Sequence, residues 1–453
     1  MQKKIIFSLL CLTVYAQAVS ADTVTYTSYT KITSYDDLVS GDTVVITSID
    51  YGKVMGAERS GKNNREALDI TFMCNDSSTI VLADTLGYTK LCLTRRTDTS
   101  SDWLLITPDS TYLYAGTTTQ SNQLKETTTR SSAFFTISID SLGYATIKFA
   151  SNSSSNILGY YNATVSSNAV YVFSCYKSSS ENAANVQIFS KRGSVYVLNG
   201  TEQDDDNTET IEALVEPKDT TDYYVMVNRA FAADDGWYTL CLPFGLSADE
   251  ISNQFGGATF EAFNSAKTND EGVLSLNFVS VTETDAGVPY MLKPETAVTY
   301  PLFKNKTATV ITPSEVTYAI NGEGEDSVSF VGVFNPTTLT TDKSQRFVSS
   351  DGVTLTYSNN AESKLNALRA YVQLPDSYAE SEDAKITVDA EPDTEPEADT
   401  DTDSETDGIA IIGVSGGDEG EAIYTLGGVR VATKASSLPK GAYISGGKKF
   451  IVK

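Results

Sequence analysis

Tyrosine pairs, cysteines and carboxylates are the groups in this 453-residue chain that could bind or react, because the chain contains no histidine. Without imidazole there is no His-based triad, no His-ligated metal site and no imidazole proton shuttle. No G-x-S-x-G nucleophile elbow is present either. Carboxylates are abundant, with 59 Asp and Glu against 33 Lys and Arg, so paired acids for glycoside cleavage are a chemistry the composition allows. Asp234 and Asp235 beside Trp237 are the most suggestive pair, but adjacent acids before an apolar run read more simply as a turn entering a strand. Trp237 in that dense run is expected to be core, and Cys241 a small buried hydrophobe.

The Gly-rich strings GEGED (322–326) and GGDEGE (416–421) lack the Lys and Ser/Thr of a phosphate loop, and their acidity would repel phosphate, so both are expected as surface turns. Residues 391–408 carry an acid at every odd position from Glu391 to Asp407. D-x-D-x-D offers oxygen ligands to calcium, yet Ser404 stands where a calcium loop usually has Gly, so a solvated, self-repelling spacer is expected. No catalytic residue, metal site or cofactor is assigned from the sequence. Binding has better support, because Tyr faces stack on sugars while their hydroxyls hydrogen-bond. Tyr112 and Tyr114 in TYLYAG, and Tyr160 and Tyr161 in LGYY, take corresponding places in two similar stretches and are the candidate ligand residues. Strand alternation is expected to turn one member of each pair inward.

The elements that must hold these residues are β-strands. Thr, Ser, Tyr, Val and Ile crowd the chain, which favours an all-β protein. Residues 22–195 show a loose threefold pattern of apolar run, polar turn and second run: DTVVITS, KVMGA and ALDITF; DWLLITP, TYLYAG and SAFFTISI; YATIKFA, NILGYY and AVYVFSCY with VQIFSK. A β-trefoil or other small barrel is expected there. Residues 196–222 are acidic and turn-rich and read as a linker. Residues 223–390 alternate as a central antiparallel β-sandwich, with one short helix near 247–255. Its organising stretch is GWYTLCLPF (236–244), partnered by AGVPYMLKP (286–294) and LNALRAYVQLP (365–375), each an apolar run ended by Pro. After the acidic spacer 391–408, residues 409–453 read as a small β domain with a Gly446-Gly447 hairpin.

Three resemblances carry further expectations. The threefold pattern resembles the β-trefoil family, which implies sugar binding. The runs DGWYTLCLPF, GVPYMLKP, FVGVFNPT and ALRAYV resemble an all-β module of secreted surface proteins from anaerobic didermal bacteria, with no reaction attached. AIYTLGGVRV, LPKGAYIS and the terminal KKFIVK resemble the C-terminal sorting domain of the type IX secretion pathway, although Thr425 and the extra Gly427 depart from its pattern.

Location follows from the N-terminus. Lys3 and Lys4, an apolar run over 5–15 and small residues at Ala16, Ala18 and Ala21 read as a secretory signal peptide, residues 1–21. Losing two of the 33 bases and no acid leaves 31 against 59, a net charge of about −28. Nucleic acid and anionic membranes are repelled by such a chain, and no later stretch reaches the ~18 apolar residues of a membrane span. Cys74, Cys92, Cys175 and Cys241 remain; a bridge among the first three stays open. A secreted or cell-surface, non-catalytic binding or adhesion protein is therefore expected, with glycans or surface proteins as partners and export machinery engaging the C-terminus. A carbohydrate-active enzyme or accessory protein and a purely structural component are the alternatives. Mass spectrometry of exported material should find an N-terminus between Val19 and Asp22; an intact Met1 would exclude the signal.

Overall fold

The computed structural model describes residues 24–388, apart from positions 76, 98–99, 117–121, 151–153, 166–167, 181–182, 218–220, 270–272, 323, 351, 353 and 380–384, together with four strands between residues 423 and 452. The expected signal (1–21) and acidic spacer (391–408) lie outside the described residues. The chain falls into two units divided at residues 391 and 392.

In the first unit the runs of the threefold pattern all form strands. Eight of them, together with the strand Leu91–Arg95, pair into a closed ring of nine. It passes from Thr43–Ser48 through Leu91–Arg95, Asp102–Ile106, Phe135–Ile139, Ala145–Phe149, Ile157–Val165, Asn168–Tyr176, Arg65–Asp69 and Lys53–Glu58, then returns to Thr43–Ser48. Alternation explains the closure. Phe135 and Ile137 point inward opposite Phe149 and Ile147, while Thr136, Ser138, Thr146 and Lys148 face out. Trp103, Leu105, Leu158 and Phe173 complete a barrel interior in which every one of these side chains is essentially dry. Each such burial stabilises the fold by about 1.5–3 kcal/mol. One cation is inside as well. Arg65, 2% exposed, donates from Nε to the Gly56 carbonyl (3.0 Å), from Nη1 to Glu126 (2.8 Å) and from Nη2 to the Thr89 hydroxyl (2.9 Å). A buried charge survives there because every arm of its fork finds an acceptor.

The expected linker at 196–222 requires correction. The strand Gln187–Asn199 runs straight through its start, antiparallel to Tyr26–Lys31 and Thr43–Ser48, and then parallel to Tyr223–Asn228 with Ser194 opposite Tyr223 and Asn199 opposite Asn228. Parallel neighbours cannot be joined by a tight turn and need a crossover. The acid-rich segment supplies it as a helix, Thr208–Val215, whose Ile211 and Leu214 are buried one turn apart while Glu209 and Glu212 stay exposed. Asn207, fully buried, locks the crossover: its Oδ1 accepts from the Asn199 amide (2.7 Å) and its Nδ2 donates to the carbonyls of Asn199 and Phe334 (both 2.8 Å). The regions expected as separate domains over 22–195 and 223–390 therefore share one sheet within one unit.

Beyond the crossover stands the expected sandwich. One five-stranded sheet comprises Tyr238–Cys241, Pro289–Lys293, Thr259–Thr268, Leu274–Val281 and Lys385–Val388, and the other Glu315–Ala319, Ser327–Val333, Arg369–Gln373, Gln345–Val348 and Leu355–Tyr357. All pairings are antiparallel except Leu274–Val281 with Lys385–Val388, which is parallel. Phe263, Phe278 and Phe330 meet between the sheets with ring centroids 5.3–6.3 Å apart. The one expected helix is present at Ala248–Gln254, begun by a capping box in which Ser247 and Glu250 exchange hydrogen bonds. In the second unit four strands form an antiparallel sheet, ordered Arg430–Ala432, Ile423–Thr425, Gly441–Ser445 and Lys448–Val452. Ser445 faces Lys448, as a hairpin around Gly446-Gly447 requires.

Because Leu214 fills the joint beneath the crossover, Leu214→Ala should lower unfolding free energy by about 2–5 kcal/mol in urea titrations. Brief digestion of the folded protein by an acid-specific protease should spare residues 207–215. Early cutting there would show that the helix is not docked.

Candidate functional site

The three proline-ended stretches come together in space. Tyr238–Cys241 pairs with Pro289–Lys293 on one side, Tyr238 lying opposite Leu292 and Cys241 opposite Pro289. On its other side it meets the second sheet: the Ala370 amide, in the strand Arg369–Gln373, donates to the Thr239 hydroxyl (3.0 Å), and the Cys241 amide donates to the carbonyl of Leu368 just before that strand (3.4 Å). Leu368 is held at φ 58°, a left-handed conformation costly for a branched side chain. That twist aims its carbonyl at both the Cys241 amide and Arg229. Cys241 is buried, donates its thiol to the Gly287 carbonyl (3.2 Å), and has its acidity suppressed by burial. It behaves as the expected hydrophobe. No disulfide joins Cys74, Cys92, Cys175 or Cys241, so the bridge left open among the first three does not form.

Where the edges of the two sheets meet, a groove of about 580 Å³ opens, within the size range of small-ligand sites. Trp237 and Tyr238 form one wall; Phe347 and Tyr357 face them; Ser349, Ser358, Asn359, Asn360 and Asn366 supply hydroxyl and amide groups. Trp237 was expected to be core. It instead packs one face on the sandwich interior and leaves the rest partly exposed to the groove, because it precedes the strand and escapes full enclosure. Its backbone is fixed by Gly352, whose carbonyl accepts from the Trp237 amide (2.8 Å). A Cβ on Gly352 would lie 2.3 Å from the Gly236 Cα, and Gly352 itself sits at φ +66°.

The groove is cationic in a chain of net charge −26. Arg229, Arg369 and Lys364 line it, and Asp234 is the one carboxylate among its described lining residues. Asp234 and Asp235 form the expected turn, with Asp235 at φ 63°. The Asp234 carboxylate accepts from the Gly236 amide and the Tyr238 hydroxyl (both 3.1 Å), and Asp235 reaches Lys293 at 3.8 Å. Arg229 is 3% exposed. Its Nη1 donates to the carbonyls of Thr239 (2.6 Å) and Leu368 (3.2 Å), and its guanidinium lies 4.6 Å from the Phe231 ring centroid. Its Nη2 has no acceptor among the described residues. Burial, reinforced by the nearby Arg369 charge, pulls the Arg229 guanidinium well below its ordinary pKa; burial lowers Arg369 too.

The sequence-derived tyrosines lie elsewhere, on the barrel. Tyr160 is removed from the candidate set: it is 1% exposed and packs against Tyr51 (5.1 Å) and Phe173 (5.3 Å), as an inward residue of Ile157–Val165. Tyr161, its outward neighbour, stacks on Tyr176 at 5.7 Å. Tyr112 and Tyr114 do not split inward and outward. Two apart on a strand, they share a face, and Leu113 between them is the buried residue. Both are partly exposed opposite Thr127 and Lys125, and no ring contact joins them to Tyr160 or Tyr161 among the described residues. Arg229 and Arg369 escaped sequence reasoning, although each is a lone cation in an apolar run, VMVNRAF and ALRAYV. That signal was available.

No family model matches the chain, and no curated protein matches it. Among solved structures it is similar to a BEL beta-trefoil in an apo crystal form, at 12% identity and TM-score 0.25, over 35% of this chain and 99% of that one. It is also similar to a mosquitocidal holotoxin, at 11% identity and TM-score 0.24, over 76% of this chain and 41% of the holotoxin. At these TM-scores neither likeness bears on fold or function.

Gly352→Ala should destabilise the fold by about 1–3 kcal/mol and loosen the groove wall. Trp103 is fully buried, so acrylamide quenching of the two tryptophans should rise through Trp237 alone. Unchanged quenching would mean that Gly352 does not position Trp237.

Proposed function

We propose that this is an exported protein, extracellular or held at the cell surface, that binds a glycan in the Trp237 groove without turning it over. The observation that carries the reading is the lining itself: a partly exposed Trp with Tyr238 and Tyr357, rimmed by serine hydroxyls and asparagine amides. Aromatic faces take the apolar C–H side of a sugar ring, and amides and hydroxyls satisfy its hydroxyl groups. Tyr238, Phe347 and Tyr357 of the wall stand on strands, and Ser349, Ser358, Asn359, Asn360 and Asn366 supply the rim, so the pocket is largely formed before a ligand arrives. The leader-like residues 1–21 and the sorting-like pattern of 409–453 support export and a place outside the cell.

Titration with mono- and oligosaccharides should raise or quench Trp237 emission at micromolar to millimolar ligand. Trp237→Ala should weaken binding by on the order of tenfold, about 1.4 kcal/mol, with an unchanged circular dichroism spectrum. Tyr112→Ala and Tyr114→Ala should leave this binding intact. Release of new reducing ends during the titration would convert the reading to an enzyme; sugar binding indifferent to Trp237→Ala would place the site elsewhere.

A further inference from the structure

Arg229 and Arg65 are the two most buried arginines, and they differ in one respect. Each of the three donating nitrogens of Arg65 has an acceptor, including the Glu126 carboxylate. Arg229 faces only carbonyl oxygens through Nη1 and has Nη2 unpartnered at the groove. Arg369 lines the same groove, and among the described residues nothing hydrogen-bonds to or pairs with its guanidinium, while its charge bears on Arg229. Two like charges in a poorly solvated place, with no carboxylate between them, are destabilising unless something anionic completes the arrangement. Among the described residues no carboxylate pairs with either guanidinium: the nearby Asp234 is turned to Gly236 and Tyr238.

Building on the glycan reading, we propose that the groove selects acidic sugars, the carboxylate of a uronic-acid-type residue seating against the Arg369 guanidinium with the buried Arg229 charge behind it. A guanidinium fork matches a carboxylate in two parallel hydrogen bonds. One carboxylate offsets one of the two positive charges and so relieves their mutual repulsion. A densely charged polyanion would instead meet the repulsion of a chain with net charge −26. The aromatic wall then holds the ring while Arg369 reads the acid. Arg229, locked on the carbonyls of Thr239 and Leu368, is a positioning residue whose charge acts through Arg369.

The test uses the full-length folded protein, with glucose and glucuronate and matched neutral and uronate-containing oligosaccharides as probes, read by calorimetry and thermal melting. The uronate forms should bind at least tenfold tighter than their neutral counterparts, with the preference shrinking as salt rises. Arg369→Met should abolish the preference by bringing uronate affinity down to that of the neutral sugar, and melt at the same or a higher temperature without ligand because it removes the repulsion. Arg369→Lys, which keeps charge but not the fork, should retain part of the preference and serves if the Met variant does not fold. Equal affinity for neutral and acidic sugars, or a preference untouched at Arg369, would overturn the carboxylate site while leaving glycan binding standing. A lowered melting temperature in Arg369→Met with the preference kept would make Arg369 merely structural. Binding of neither sugar class, or of carboxylate-terminated peptides in their place, would remove the glycan reading and this proposal together.

Discussion

The parallel pairing of Gln187–Asn199 with Tyr223–Asn228 is the constraint from which the rest of the first unit follows. The first of these strands is fixed on the barrel side by antiparallel ladders to Tyr26–Lys31 and Thr43–Ser48. The second delivers the chain to Arg229 and then to the Trp237 wall. A parallel step demands a crossover, the crossover demands a buried helical face, and Ile211 and Leu214 provide it. Asn207 seals the joint by satisfying backbone groups of both Asn199 and Phe334, so the crossover is fastened to the sandwich as well as to the barrel. Buried polar groups that are fully matched rigidify such junctions.

That rigidity explains how an unmatched arginine pair is tolerated at the groove. Leu368 in a left-handed conformation, Gly352 against Gly236, and Arg229 with Nη2 unpartnered among the described residues are each unfavourable locally. They sit within a few residues of the same groove. Such features persist where surrounding structure over-determines them, and their clustering marks a functional site better than any one of them. The barrel shows the contrast. Each donating nitrogen of its buried Arg65 has an acceptor, its Tyr160 is enclosed by rings, and its strands Phe135–Ile139 and Ala145–Phe149 alternate between inside and outside.

Much of the fold was legible in the sequence because it rests on local pattern. The apolar runs of the threefold pattern, the Gly446-Gly447 signal between two β-like runs and the short helix near 247–255 are each written within a few residues, and they appear as strands, as Ser445 paired with Lys448, and as the helix Ala248–Gln254. Prolines 243, 294 and 375 fall one or two residues past strand ends, as a residue without an amide donor must. The acidic crossover was misread for an equally physical reason: its composition is that of a solvated chain, and only two apolar residues, one turn apart, carry the docking. A helix this short owes its stability to tertiary packing rather than to its own propensity.

The candidate site was less legible. Composition alone determined that no histidine chemistry operates and that the protein is strongly acidic, and periodicity alone determined that it is built of strands. Which residues meet was decided by the tertiary structure. Arg229 and Arg369 stand 140 positions apart, and their approach depends on hydrogen bonds from the Thr239 and Arg229 side chains to the backbone of Ala370 and Leu368, which no local pattern encodes. Trp237 looked like core because its neighbours are apolar, and became a groove wall because it lies just before its strand, packed on the sandwich interior on one side and open to the groove on the other. Sequence specifies the faces of elements; the space left where those faces stop meeting is a property of their packing.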